Sequence, residues 1–121
     1  MREETLAWIS KAKEDLETAK YNLKGKRINA AAFYSQQAAE KALKAIQIEK
    51  LKRFDRTHDL FVLAQTFYVP VAILEACKGL NPLYTGTRYP DSREIHTLKD
   101  IKKKVKLAEE VVKWASQILK S

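Results

Sequence analysis

Apolar side chains at Leu6, Ile9, Ala12, Leu16, Ala19 and Leu23 recur at steps of three and four, the period of one helix face. They predict a first helix that ends at Gly25. Its acids (Glu3, Glu4, Glu14, Asp15, Glu17) lie towards the start and its bases (Lys20, Lys24, Lys26, Arg27) at or past the end, as the helix dipole prefers. Asn29 then reads as the N-cap of a longer helix through about Glu49. Seven alanines (Ala30, Ala31, Ala32, Ala38, Ala39, Ala42 and Ala45) stud that segment, and such short side chains let a neighbouring backbone pack close, so this helix is expected at the centre. The basic connector from Lys50 to Arg56 leads to Thr57, which can cap a third helix starting near His58 and Leu60 and ending near Tyr68. Pro70 suits the first turn of a fourth helix through about Lys78, with Gly79 and Asn81-Pro82 as punctuation. Residues 80–96 have no helical period and read as a long connection. Thr97 with Asp100 resembles a capping box for a last helix carrying Ile101, Val105, Ala108, Val112, Ala115 and Leu119. No stretch alternates as a strand would, so the expected class is all-α, an antiparallel up-and-down bundle of four to five helices.

Composition narrows the function. At 121 residues the chain has the size of one domain, 1–121, and 45% hydrophobic with 31% charged residues excludes a disordered or collagen-like polymer. Lys and Arg number 23 against 15 Asp and Glu, a formal charge of +8, so the expected partners are anions: nucleic acid, nucleotides or an acidic protein face. The lone Cys77 excludes an intrachain disulfide and, among apolar neighbours, reads as a small core residue. The longest uncharged stretch, Leu60 to Leu74, is too short for a bilayer and contains Pro70, so no membrane helix is expected. Met1-Arg2-Glu3-Glu4 lacks the apolar core of a signal peptide, which points to the cytoplasm.

Three places could carry chemistry. Lys99, Lys102, Lys103, Lys104 and Lys106 crowd the start of the last helix, where the dipole disfavours cations. They form either a solvated face or a phosphate-binding stripe in which Lys102 and Lys103 take part. Arg53, Arg56 and His58 cluster at a loop-to-helix junction, where backbone N–H groups also favour an anion. His58 there is either a general acid or base or a residue that caps and packs the third helix. Finally, Arg88 lies between Tyr84 and Tyr89, ahead of Pro90 and Asp91, a grouping that can stack on bases and pair with phosphate or can clamp the loop onto the bundle. A Walker A motif, a dinucleotide glycine pattern, Cys/His metal spacing and a nucleophile elbow are all missing from the sequence, so no metal or cofactor is expected.

The segments from Ala31 to Ala45 (Ala-Ala-Phe-Tyr-Ser-Gln-Gln-Ala-Ala-Glu-Lys-Ala-Leu-Lys-Ala), Arg56-Thr57-His58-Asp59-Leu60 and Thr87-Arg88-Tyr89-Pro90-Asp91 resemble, in that order, the HEPN family, the higher eukaryotes and prokaryotes nucleotide-binding domain. The resemblance runs from the Trp8 helix to the Trp114 helix. It implies an up-and-down helical bundle that commonly dimerises and binds nucleotides or RNA. It also implies a minimal nucleotidyltransferase as partner, in a two-component module of toxin–antitoxin type. Some members are metal-independent RNases with an Arg followed, after four to six residues, by a His. Arg53 and His58 match that spacing, with Phe54 where those RNases carry a polar residue. In such a site His takes the ribose 2′-OH proton and Arg stabilises charge on the phosphate. A homodimer would supply a second His as the acid. The resemblance therefore makes Arg53 and His58 the catalytic candidates. Arg56, Arg88, Tyr89, Asp91, Lys102 and Lys103 are the phosphate-binding candidates. A basic bundle that docks an acidic protein remains a further alternative.

Overall fold

The computed structural model describes residues 1–90 and 96–120. Six helices form there: α1 (Glu3–Lys24), α2 (Ile28–Leu51), α3 (Leu60–Ala64), α4 (Val71–Leu80), α5 (Leu83–Arg88) and α6 (Leu98–Lys120). No strand occurs among the described residues, and the class is the all-α bundle expected.

The two longest connected helices form an antiparallel pair. Thr5 Oγ1 donates to Glu49 at 2.9 Å, Lys41 bonds Asp15 halfway along, and the chain reverses over Gly25 to Arg27. That reversal is a Schellman closure: the Arg27 N–H donates to the Asn22 carbonyl at 2.8 Å and the Lys26 N–H to Leu23 at 3.0 Å. Its left-handed residue is Lys26 (φ 61) rather than the preceding Gly25. Ala31, Ala32, Ala38, Ala39, Ala42 and Ala45 are all wholly buried, and α2 packs against every other helix of the bundle. The alanine ridge thus puts α2 at the centre, because short side chains bring neighbouring axes near. The apolar stripe of α6 (Ile101, Val105, Ala108, Val112, Ala115) closes the core on α2, α1 and α4. At the α4 contact Gly79 lies so near Leu107 that a Cβ would come to 2.9 Å of it.

Several local expectations change. Asn29 is inside α2, where Arg27 holds the N-cap position and no side chain caps the helix; the Asn29 amide instead donates to the Thr87 carbonyl at 3.3 Å. Asp59, not Thr57, caps α3, accepting from the Phe61 and Val62 N–H groups. Asp59 directly precedes α3, where its carboxylate meets the first-turn N–H groups, while Thr57 Oγ1 accepts from the Asp59 N–H one step earlier. Helix α3 stops at Ala64, short of Tyr68, and the long connection contains α5, started by Pro82. A six-residue helix with one buried residue, Leu83, leaves no period to read. Thr97 and Asp100 do form the reciprocal capping box: Asp100 N–H donates to Thr97 Oγ1 at 3.1 Å, and Thr97 N–H to Asp100 Oδ2 at 3.4 Å.

Candidate functional site

Within the alanine surface of α2, four polar side chains follow one another along a single stripe: Gln36, Glu40, Lys44 and Gln47, all buried. Steps of four and three keep them on one face. Buried polar groups need partners, and these find theirs in the connector between α2 and α3. Gln47 receives the Asp55 N–H at 3.0 Å and donates back to Asp55 Oδ2 at 3.1 Å. Phe54 lies against Trp8, ring centroids 4.8 Å apart, and under the Lys44 ammonium at 5.6 Å. Its apolar ring thus anchors the connector. Gln36 donates to the His58 carbonyl at 3.3 Å. The connector is pinned along its length, and His58 is carried to Glu40.

Both Glu40 oxygens lie 3.1 Å from His58 Nδ1. Gln36 donates to one oxygen at 3.1 Å and Lys44 to the other at 3.2 Å. Burial pushes the Glu40 carboxyl up, but the Gln36 hydrogen bond, the Lys44 charge and the His58 contact outweigh it, holding the group below its ordinary value. The His58 ring, 46% exposed at its side chain, stacks on Tyr84 of α5 at 4.5 Å and 15°. Tyr84 in turn lies 4.2 Å from the Arg88 guanidinium carbon, which is 4.7 Å from the Phe33 ring of α2. Arg88 Nε is buried and makes no hydrogen bond among the described residues. A shallow hollow opens beside this group, lined by His58, Asp59, Asn81, Pro82, Tyr84 and Thr85. Asn81 shapes its floor by donating to Asp59 Oδ1 at 2.8 Å and accepting from the Leu60 N–H at 2.7 Å.

His58 and Arg88, expected at separate places, are therefore brought together through Tyr84. Arg53 is not joined to His58 by any hydrogen bond or ion pair among the described residues; it is exposed at the end of α2 and faces Asp55 at 3.9 Å. Arg56 is exposed on the connector, and Tyr89 is exposed just past α5. Asp91 lies outside the described residues. Lys102 and Lys103 are exposed on α6, a different element from those that build the His58 cluster, and the neighbouring Lys104 is engaged with the Gly79 carbonyl at 2.6 Å. Glu40, Phe33 and Gln36 were not among the candidates read from the sequence. The spacing of Gln36, Glu40, Lys44 and Gln47 in an otherwise alanine-rich helix was the available signal, since a polar stripe facing a core must meet something polar. Among the described residues no group of three or more His, Cys, Asp or Glu is placed to hold a metal ion, and no helix is long and apolar enough to cross a membrane.

In chemical terms the cluster offers an aromatic face, an arginine with unspent N–H donors and an accessible imidazole backed by a carboxylate. Three solved structures share its fold over nearly their full length. TT1696 from Thermus thermophilus matches with a TM-score of 0.88 and 25% identity, over 96% of this chain and 98% of that one. ST0689, an archaeal HEPN homologue, gives 0.80 and 28% over 97% and 98%. The HEPN domain protein tm0613 from Thermotoga maritima gives 0.75 and 26% over 94% and 98%. No curated protein matches. The HEPN domain model itself matches residues 5–119, a span that takes in the alanine-rich helix, the His58 connector and α5 with Arg88, and on that match the chain belongs to the HEPN domain family.

Proposed function

We propose that this HEPN chain binds RNA or a nucleotide at the face formed by His58, Tyr84 and Arg88, and that it works in the cytoplasm as the partner of a minimal nucleotidyltransferase in a module of toxin–antitoxin type. The observation that carries the binding reading is the ladder of contacts from His58 through Tyr84 to Arg88 and Phe33. Aromatic side chains stack on bases of any identity, and a guanidinium packed against two rings can pair with a phosphate through its N–H groups. The formal charge of +8 draws polyanions to the molecule. The remaining candidates, Arg53, Arg56, Tyr89, Lys102 and Lys103, extend the basic surface and act as auxiliary phosphate contacts. The partner reading rests on family membership and predicts co-purification of the chain with a small nucleotidyltransferase encoded beside it. Recovery of this chain alone, from cells expressing both, would sink that part.

The test of binding is a fluorescence titration with single-stranded RNA at several salt concentrations. Affinity that falls steeply with salt supports the reading. Undetectable binding at low salt would favour docking to an acidic protein instead. A second reading, a metal-independent RNase acting across a homodimer, is favoured by the Glu40–His58 contact, since a carboxylate behind an imidazole is how an acid–base histidine is held. Cleavage of single-stranded RNA in EDTA that disappears in His58→Ala would support it. The expected arginine for that reaction from sequence spacing is Arg53, so Arg53→Ala belongs in the same assay.

A further inference from the structure

The hollow beside His58 holds an acid and an amide whose hydrogen bonds are only partly used. Asp59 accepts from the Phe61 N–H at 3.0 Å, the Val62 N–H at 3.2 Å and the Asn81 amide at 2.8 Å, and every one of these bonds ends on Oδ1. Oδ2 accepts none among the described residues, and the side chain is exposed. The Asn81 bond, with the Val62 and Phe61 N–H groups, outweighs desolvation and holds the carboxyl below its ordinary value, so at neutral pH the free oxygen is an acceptor only. Asn81 is oriented by its own partners. Its Oδ1 accepts from the Leu60 N–H at 2.7 Å, and its Nδ2 donates to a carboxylate that cannot donate in return. One Nδ2 hydrogen is spent there, and the second makes no bond among the described residues. The hollow therefore presents an acceptor next to a donor, joined through Asp59 Oδ1, with the half-exposed imidazole and Tyr84 beside them.

A carboxylate at that position repels phosphate, so the part of a nucleic acid that fits the hollow is a base. Unpaired bases are held by stacking on aromatic side chains, His among them, and are read along their Watson–Crick edges. On that edge cytosine places the N4 amino donor next to the N3 acceptor, and adenine places the N6 amino donor next to N1. Uracil presents the reverse, a carbonyl oxygen next to an N–H, and would set O4 against Asp59 Oδ2, acceptor against acceptor.

We infer, on the reading that this chain binds RNA at this face, that the hollow reads the base and selects cytosine or adenine over uracil. Asp59 Oδ2 accepts from the exocyclic amino group, Asn81 Nδ2 donates to the adjacent ring nitrogen, and the base lies on the His58 ring.

The experiment compares the affinity of cytidine and uridine octamers at neutral pH in EDTA, two ligands with the same backbone and ring size. Wild-type protein should prefer the cytidine octamer by about five-fold, the low end of what a paired donor and acceptor give against the wrong base. Asp59→Asn keeps an oxygen for the α3 cap and puts an amide donor in place of Oδ2, and Asp59→Ser keeps a capping hydroxyl and offers no second oxygen. Both variants should still bind and should lose the cytidine preference, with the urea midpoint reporting that the fold is kept. Arg88→Gln should weaken both octamers by a similar factor and leave their ratio unchanged, since phosphate contacts carry no base information. Equal wild-type affinity for the two octamers, a preference for uridine, or a cytidine preference that survives in folded Asp59→Asn and Asp59→Ser would overturn the inference while leaving RNA binding intact. Failure of the wild type to bind either octamer would remove the RNA-binding reading and the inference together.

Discussion

Glu40 and Lys44 show how a single pair governs both stability and chemistry. Their side chains are 8% and 5% exposed, so neither charge is solvated without the other. Glu40→Ala strands the Lys44 ammonium inside the bundle and should cost about 3–5 kcal/mol in urea unfolding, whereas the Glu40→Leu/Lys44→Met double variant should lie near wild type or above it. Because the Glu40 carboxyl is held below its unfolded value of 4.5, its contribution to stability is present above that pH and is lost as pH falls through the lower folded value. The double variant should therefore lose less stability than wild type on acidification below about pH 4.5. Cys77 behaves in the opposite sense. Burial pushes its thiol up to about 12, so the native protein at neutral pH should be inert to a thiol reagent and react only when unfolded. Fast labelling of native protein would contradict the buried position.

At the scale of elements, α2 does two jobs with one sequence. Its alanine ridge admits close neighbours, and its polar stripe captures the connector that bears His58. Ala42 is wholly buried in that ridge, so Ala42→Leu should overpack it and cost about 1–3 kcal/mol, measured as a lower urea midpoint at unchanged slope. The cap of α3 is equally local. Asp59 accepts from two backbone N–H groups and ties α3 to Asn81, and Asp59→Ala should cost about 1 kcal/mol and loosen the hollow beside His58. Lys52, which ends α2 at φ 58, works against its own backbone, and Lys52→Gly should relieve about 1 kcal/mol.

At the scale of the molecule, the bundle keeps exposed apolar side chains at Val62, Tyr68 and Val71, around the junction of α3 and α4. A two-fold dimer is the expectation for a small basic HEPN chain, and the RNase reading depends on it. Light scattering at tens of micromolar should give twice the 13.9 kDa chain mass; a monomer there would remove both the dimer and the across-dimer acid.

The long helices were legible because their burial is periodic: the steps of three and four in α1 and α6 and the alanines of α2 each state which face is covered. The Thr97–Asp100 box was legible because both of its hydrogen bonds close within four residues. Arg88 and His58 could be read as candidates, each from its own neighbours. Their meeting could not, since 30 residues of chain separate them and Tyr84 and Glu40 approach from two further positions. Short elements failed for the same reason: α5 is held by α2 through Asn29 and Phe33, contacts with no local period. The sequence by itself determined the class, the central helix and the family, because these follow from local periodicity and from residue types at fixed spacing. Only the tertiary structure decided which carboxylate stands behind His58 and which arginine shares its tyrosine, because contacts between distant segments are set by how helix faces pack, and packing distance is not written along the chain.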